Sequence, residues 1–562
     1  MPHSDDVSSR DIDIYTMKLA GHHPLAVNYL APLIVLALAV IALYGNFLSS
    51  PLVFDDYSYF GETIADELRA RAGFGLRWLS IATFGWTRAI LGEAMIWQRL
   101  ANLSLHIANS FLLFLFLLRL FKSTLANDGP HADAAAGRNT LGLPWLAFFG
   151  VLFFALNPAA VYGVAYLAQR TILMATLFAL VTWILFLEGL LRNQRRWLLA
   201  SSVTYLLAVL SKEHAIMVPA VSFLLLLLVH QPSWQSLKQV WPTFLLYGVV
   251  GVYTFIQIKA GGVIGRPYEP NAADMFAALN IDPRQAHALS VLNQGFLYFK
   301  YLLLWLVPNP GWMSVDMVEG FARSFWNWPQ ITALLAFALY PALALLALLQ
   351  RGRTGLLGFA LLCPWVLFAT ELSTVRIQEN FVMYRSYLWM PCIVVAFPFL
   401  FQKVTARLAA ILLAAATLAL IPPSWNRLRT FSDPLLLWDD ALRLAQAKDK
   451  TTRLGRMYHN RGIAYVNEDR FSEALQDFDA GLKILPYHSL LYTDRAVVYL
   501  KTGRYRDALN DYNRAILFNP NYYQPYLGRA LVHEALGNTA AARLDYARSC
   551  RMGVDEVCHL GR

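Results

Sequence analysis

The sequence predicts an all-α protein in which a polytopic membrane domain is followed by a soluble α-solenoid. Three observations predict it. Of 562 residues, 57% are hydrophobic and only 15% charged, where a soluble chain carries about a quarter. Apolar runs, several of the roughly 20 residues that cross a bilayer as a helix, recur up to Ile421 and then stop. From about Gly455 the chain instead repeats with a fixed period of 34 residues.

Residues 1–27 are expected to form a cytoplasmic N-terminal segment, 28–421 the membrane domain, 422–454 a helical connector and 455–562 the solenoid. The run Asn28–Leu48 is read as a first membrane helix and not a cleavable signal, being late, long and without a small-residue cleavage site. About eleven spans follow the hydropathy: 28–48, 102–121, 144–162, 171–191, 197–210, 215–230, 241–259, 330–350, 355–370, 386–402 and 406–421. The stretch 290–307 carries Lys300 at its centre, costly against lipid, and is read as re-entrant or interfacial. Leu76–Ile90, rich in Trp and Arg, suits an interfacial helix. With this count the basic loops at Arg192/Arg195/Arg196, Arg351/Arg353 and Lys403/Arg407 are cytoplasmic, and the solenoid lies outside. The net charge of +10 is therefore topological, and no nucleic-acid-binding motif accompanies it.

Polar residues gather at the outer ends of the spans. The stretch Pro51–Phe60 leaves the first span carrying Asp55 and Asp56, and the other outer turns add Arg99, His106, Asn157, Gln169, Arg170, Lys212, Glu213, His214, Arg376, Gln378, Glu379 and Arg385. Carboxylates at a span end are also what any solvated loop carries. Ions near lipid are expensive, however, and are expected to face one another or a cavity. Arginine and lysine at such a site hold a phosphate or pyrophosphate, and a carboxylate takes the proton of an attacking hydroxyl. That chemistry suits a polyprenyl-phosphate-linked sugar and a hydroxyl acceptor. Walker, dinucleotide, HExxH and paired CxxC motifs are absent. No cofactor is assigned; a divalent cation, Mg or Mn, stays open, and His106 reads as packing before ligand. Cys363 and Cys392 lie in apolar runs; Cys550 and Cys558 could pair in an oxidising compartment.

In the tail, Tyr465, Ala474, Phe478 and Pro486 recur as Tyr499, Ala508, Tyr512 and Pro520, and Ala542 and Tyr546 begin a third, degenerate copy. These positions resemble the tetratricopeptide repeat, two antiparallel helices per unit whose small residues permit close approach. Such solenoids bind peptides or proteins, or act as a packed cap.

The membrane part resembles the GT-C superfamily of integral-membrane glycosyltransferases, in the branch with C-terminal tetratricopeptide repeats. The segments that carry the likeness are Phe54-Asp-Asp56, Trp97 through His106, Ala155-Leu-Asn-Pro158 through Arg170, Leu210-Ser-Lys-Glu213 and Tyr384-Arg-Ser-Tyr-Leu388. The run Arg376–Trp389 is similar to bacterial type IV pilin glycosyltransferases. The resemblance implies Asp55 as catalytic base with Asp56 beside it, donor phosphate held by Arg170, Lys212, Arg385 and Arg376, and a second acid or support among Glu213, Glu379, His214 and Gln169. The acids that animal O-mannosyltransferases carry in the second outer turn are here Tyr162 and Ile172. The implied function is inverting transfer of a sugar or glycan from a polyprenyl-(di)phosphate carrier to Ser or Thr of a periplasmic protein, with pilin as the first candidate acceptor. Membrane lipids are the other expected partner, and the implied location is the bacterial inner membrane with site and repeats facing the periplasm. Two alternatives stand beside it: transfer to lipopolysaccharide or another polysaccharide, and a non-catalytic membrane scaffold for envelope assembly.

Overall fold

A computed structural model describes residues 25–56, 60, 75–125, 140–230, 233–262, 264–267, 276, 280–317, 319–377, 379–447 and 454–561. Among them there is no strand, only two isolated bridges, Pro267 with Val375 and Met317 with Phe381. The chain is a bundle of apolar helices from which a solenoid of helical pairs extends.

The bundle opens with α1 (Leu25–Tyr44), α2 (Trp78–Leu91) and α3 (Met95–Leu125). Then come α4 (Leu143–Ala155) and α5 (Pro158–Val164), set at 63° to one another. The break has a local cause. Asn157 leaves the helical region, its side-chain oxygen accepts the Ala159 N–H at 3.0 Å, and Pro158 opens the new helix, where a missing N–H costs nothing. Next are α6 (Arg170–Arg192), α7 (Arg195–Ser211) and α8 (Val218–Val229). Lys212 is extended between α7 and a 3-10 turn over Glu213–Met217 that leads into α8. The bundle finishes with α9 (Trp234–Ala260), α10 (Ala286–Leu306), α11 (Gln330–Leu349), α12 (Gly352–Phe368), the short α13 (Phe397–Leu400) and α14 (Ala406–Thr430). At Gly358 α11 and α12 meet backbone to backbone: a Cβ there would lie 2.3 Å from the Leu348 nitrogen.

Among the described residues, seven helices are long and apolar enough to cross a membrane, or eight if the bent pair α4–α5 is one span. The seven are Tyr29–Phe47, Met95–Leu125, Leu167–Arg192, Trp234–Ala260, Gln330–Leu349, Gly352–Ser373 and Ala406–Thr430. The expected span 386–402 is not a continuous α-helix. It runs through 3-10 turns over Met383–Tyr387 and Met390–Ala396 before α13, with Pro391 and Pro398 each removing a backbone donor. The stretch 290–307 falls in α10, whose polar side is capped by loops. Ser290 Oγ donates to the Thr374 carbonyl (3.3 Å), Gln294 to the Asn380 carbonyl (3.0 Å), and Lys300 pairs with Glu319.

The connector is the end of α14 plus α15 (Pro434–Gln446). Asp433 caps α15 by accepting the Leu435 N–H at 2.7 Å, again ahead of a first-turn proline. The solenoid is three antiparallel pairs: α16 (Leu454–Asn467) with α17 (Phe471–Ile484), α18 (Ser489–Lys501) with α19 (Tyr505–Phe518), and α20 (Gln524–Ala535) with α21 (Thr539–Arg551). Each pair contains the same ionic clamp. Arg461, Arg495 and Arg529 each grip Asp477, Asp511 and Asp545 respectively through two bonds of 2.7–2.8 Å. Cys550 and Cys558 are joined by a disulfide at the C-terminal end.

Candidate functional site

The polar end of the bundle is built on a 3-10 turn over Phe54–Asp56. Phe54 has a φ of 50°, a region that bulky residues rarely enter. Its ring is held among Tyr166 (6.2 Å between centroids), Trp438 (5.4 Å) and the Arg456 guanidinium (5.4 Å). Asp56 is fully buried. One carboxylate oxygen accepts the Val53 N–H at 3.2 Å and the other the Ala168 N–H at 2.8 Å. Arg99 secures the same turn from α3, donating to the carbonyls of Ser50 (2.8 Å), Ala165 (3.0 Å) and Pro51. The Asp55 backbone belongs to this turn, while its side chain lies outside the described residues, as does all of Gln378.

Arg170, at the start of α6, is also buried. Its guanidinium donates to the Asn102 side chain (2.8 Å), to the carbonyl and side-chain oxygens of Gln98 (both 2.8 Å) and to Thr87 (3.4 Å), and it lies 4.0 Å above the Phe84 ring. Four of its five donors are thereby committed to α2 and α3, which suits a residue that holds three helices together. His106 is likewise a packing residue: it bonds Tyr387 OH at 2.6 Å and the Ala155 carbonyl at 3.0 Å. Asn157 donates to the Trp305 carbonyl at 3.0 Å.

Lys212 is different. Its buried ammonium touches only neutral groups: Gln169 Oε1 at 3.2 Å, Thr171 Oγ1 at 3.3 Å and the face of the Tyr384 ring at 4.9 Å. No carboxylate oxygen of the described residues lies within 4.0 Å. Burial pushes its pKa down to about 7, helped by the neighbouring charges of Arg77 and Arg385 and opposed by those of Glu213 and Glu371. The next residue is paired: Glu213 takes a two-pronged contact from Arg77, through Nε at 2.9 Å and through the terminal nitrogen. Burial alone would raise the Glu213 pKa, but Arg77 holds it well below the usual carboxylate range.

From Glu213 a chain of polar and ionic contacts runs across this end of the bundle. His214 stands between Glu213 (3.5 Å) and Glu371 (3.2 Å). Glu371 meets Arg376 at 3.4 Å and Arg385 at 3.1 Å. Arg385 faces the Glu379 carboxylate at 3.8 Å and donates to the Glu379 carbonyl at 3.3 Å. Glu379 bonds Arg456 at 2.9 Å, and Arg456 closes the chain on Asp316 at 2.7 Å. Burial disfavours the Glu379 charge, yet Arg456 and Arg385 outweigh it and its pKa falls.

The residues expected from sequence thus divide. Gln169, Lys212, Glu213, His214, Arg376, Glu379 and Arg385 form one connected cluster. Arg170 and Asp56 lie at its border, spent on helix and turn contacts. Arg77, Glu371 and Arg456 belong to the cluster although sequence reasoning passed over them. Glu371 carried a usable signal, since it follows the run 355–370 much as Asp55 follows 28–48. Arg456 carried none, because its partners lie 140 and 77 residues away. Among the described residues, no three His, Cys, Asp or Glu side chains converge as a metal site.

A search of curated proteins finds no significant match to the chain. Residues 489–522, the pair α18–α19 with the turn that follows it, match the tetratricopeptide repeat family model, and the helical pairs on either side of it are arranged in a similar way.

Proposed function

We propose that the chain is a GT-C-like, polyprenyl-phosphate-dependent glycosyltransferase that moves a sugar or glycan to Ser or Thr of a protein, with type IV pilin the first acceptor to test. The observation that carries the reading is Lys212. A buried ammonium with no carboxylate in direct contact is costly, and an incoming phosphate would supply that contact. Arg385 and Arg376 stand in the same cluster, each paired with Glu371, which holds both guanidinium groups in place. The Phe54–Asp56 turn is tied through Ala168 to the residue next to Gln169, which Lys212 contacts.

In this reading Asp55 takes the proton of the acceptor hydroxyl as its oxygen attacks the anomeric carbon. The bond from that carbon to the phosphate oxygen breaks, configuration inverts, and the polyprenyl phosphate leaves onto Lys212, Arg385 and Arg376. Asp56 and Arg99 hold the turn, and Arg170 holds the helices behind it. Eleven crossings are reached by adding α7, the stretch Glu213–Val229 and the stretch 390–400 to the seven long helices and the bent pair. A disulfide between Cys550 and Cys558 suits an oxidising compartment, hence a periplasmic solenoid.

The test is mass spectrometry of periplasmic and pilus proteins from cells with the gene, without it, and with Asp55→Asn. Loss of a Ser- or Thr-linked glycan in both altered strains is the expected result. Unchanged protein glycans with altered lipopolysaccharide would redirect the acceptor assignment. Unchanged glycans of every kind would overturn the enzyme reading in favour of a scaffold.

A further inference from the structure

The first helix of the solenoid does more than rest on the bundle. Arg456, three residues into α16 counting from Leu454, grips both oxygens of Asp316 (2.9 and 2.7 Å) and one oxygen of Glu379 (2.9 Å). It also covers the Phe54 ring. The second oxygen of Glu379 is 3.8 Å from Arg385, an ion pair but beyond hydrogen-bonding distance. Of these two arginines, the one on the solenoid has the closer hold on Glu379.

We infer that Arg456 is a positioning residue for the donor site: by holding Glu379, it keeps that carboxylate from closing on Arg385 and so leaves the Arg385 charge available to a phosphate. This rests on the reading above. With Arg456 removed, Arg385 remains within 4.0 Å of the Glu379 carboxylate. Arg385 already bonds Glu371. A second carboxylate at hydrogen-bonding distance would oppose an incoming anion directly. The geometry also requires arginine. Its planar fork reaches two acids at once, which a lysine point charge does not reproduce. The solenoid thereby contributes to the affinity of a site it does not itself contain, and its pairs link it to Asp316, between α10 and α11, and to Glu379, beyond α12.

The experiment measures binding of a polyprenyl monophosphate to the purified full-length protein in detergent, by thermophoresis. The proteins compared are the wild type, Arg456→Ala and the double variant Arg456→Ala/Glu379→Gln, each checked for a cooperative melt and an intact solenoid by limited proteolysis. Arg456→Ala is expected to weaken binding by about tenfold, and the double variant to recover to within about twofold of wild type, because the neutral amide no longer opposes the phosphate. Undiminished binding by Arg456→Ala overturns the inference. Weak binding that Glu379→Gln fails to restore also overturns it, leaving Arg456 as mere adhesive between domains. A wild-type protein that melts cooperatively but does not bind the phosphate fails in a distinguishable way: it overturns the donor reading itself, and the inference with it.

Discussion

The carboxylate of Asp56 accepts the backbone N–H of Ala168 at 2.8 Å, across 112 residues of chain. That bond joins the turn after α1 to the turn before α6. Asp56 is thereby engaged in folding contacts, and the proposed base role falls to Asp55.

Replacing each acid should therefore have a different signature. Asp56→Asn keeps one acceptor oxygen and loses the charge that strengthens both backbone bonds, so it should destabilise the membrane domain by about 1–3 kcal/mol. Asp55→Asn should melt like the wild type and lose glycan transfer. Thermal denaturation in detergent, alongside glycan mass spectrometry, checks both. Equal melting losses in the two variants would remove the division of labour.

Lys212 gives the site a pH dependence. With its pKa held near 7 by burial, the ammonium is lost as pH rises through that value, and affinity for a polyprenyl phosphate should fall with it. Lys212→Arg keeps its charge throughout. The ratio of wild-type to Lys212→Arg affinity should therefore decline between about pH 6 and pH 9, and taking the ratio cancels the ligand's own titration. For folding the sign is opposite. Between about 7 and the ordinary 10.5 the unfolded chain binds a proton that the folded one does not, so this lysine contributes stability that rises with pH. A flat affinity ratio would show that the ammonium does not meet the phosphate.

The solenoid clamps can be tested singly. Arg495 holds Asp511 through two bonds of 2.7 and 2.8 Å, and Asp511 is buried. Arg495→Ala strands that carboxylate and should cost on the order of 3 kcal/mol. Arg495→Ala/Asp511→Ala should recover part of the loss. Urea denaturation followed by solenoid proteolysis reads both.

Close approach within the repeats is equally specific. A Cβ at Gly528 would lie 2.3 Å from the Tyr512 ring, so Gly528→Ala should destabilise the α19–α20 contact by about 1–3 kcal/mol. Adding Tyr512→Leu should relieve the clash at the expense of ring packing. Hydrogen exchange along α20 is the measurement.

Much of the architecture was legible because it is periodic. The 34-residue register of the tail fixed which small and aromatic positions meet, and Ala474, Phe478, Ala508 and Tyr512 are buried as that register requires. Long apolar runs such as 330–350 gave helices close to their expected bounds. Hydropathy was blind to backbone donors, and so it did not show that 386–402, which contains Pro391 and Pro398, winds through short turns in place of one α-helix. The polar cluster was read as a collection of candidates without its internal wiring. Nothing in the pair Asp55–Asp56 says that the Asp56 carboxylate is held by backbone N–H groups, since that depends on the left-handed Phe54 and on an N–H contributed by a distant turn. Arg456 was hidden for the same reason: its role is created by tertiary contact.

The helix α14 passes from the apolar bundle to the connector without a break, through Pro422-Pro423. Its last turns are anchored by Ser424 on the Leu156 carbonyl (2.6 Å) and by Arg427 on Asp440 (2.6 Å). A rigid axle of this kind has a phase as well as a length. One residue inserted just before Ser424 would swing everything beyond it by about 100° and carry Arg456 away from Asp316 and Glu379. A whole extra turn would restore the bearing but lift the solenoid by about 5.4 Å. The direction in which the repeats face is thus written in the helical angle of a single shaft.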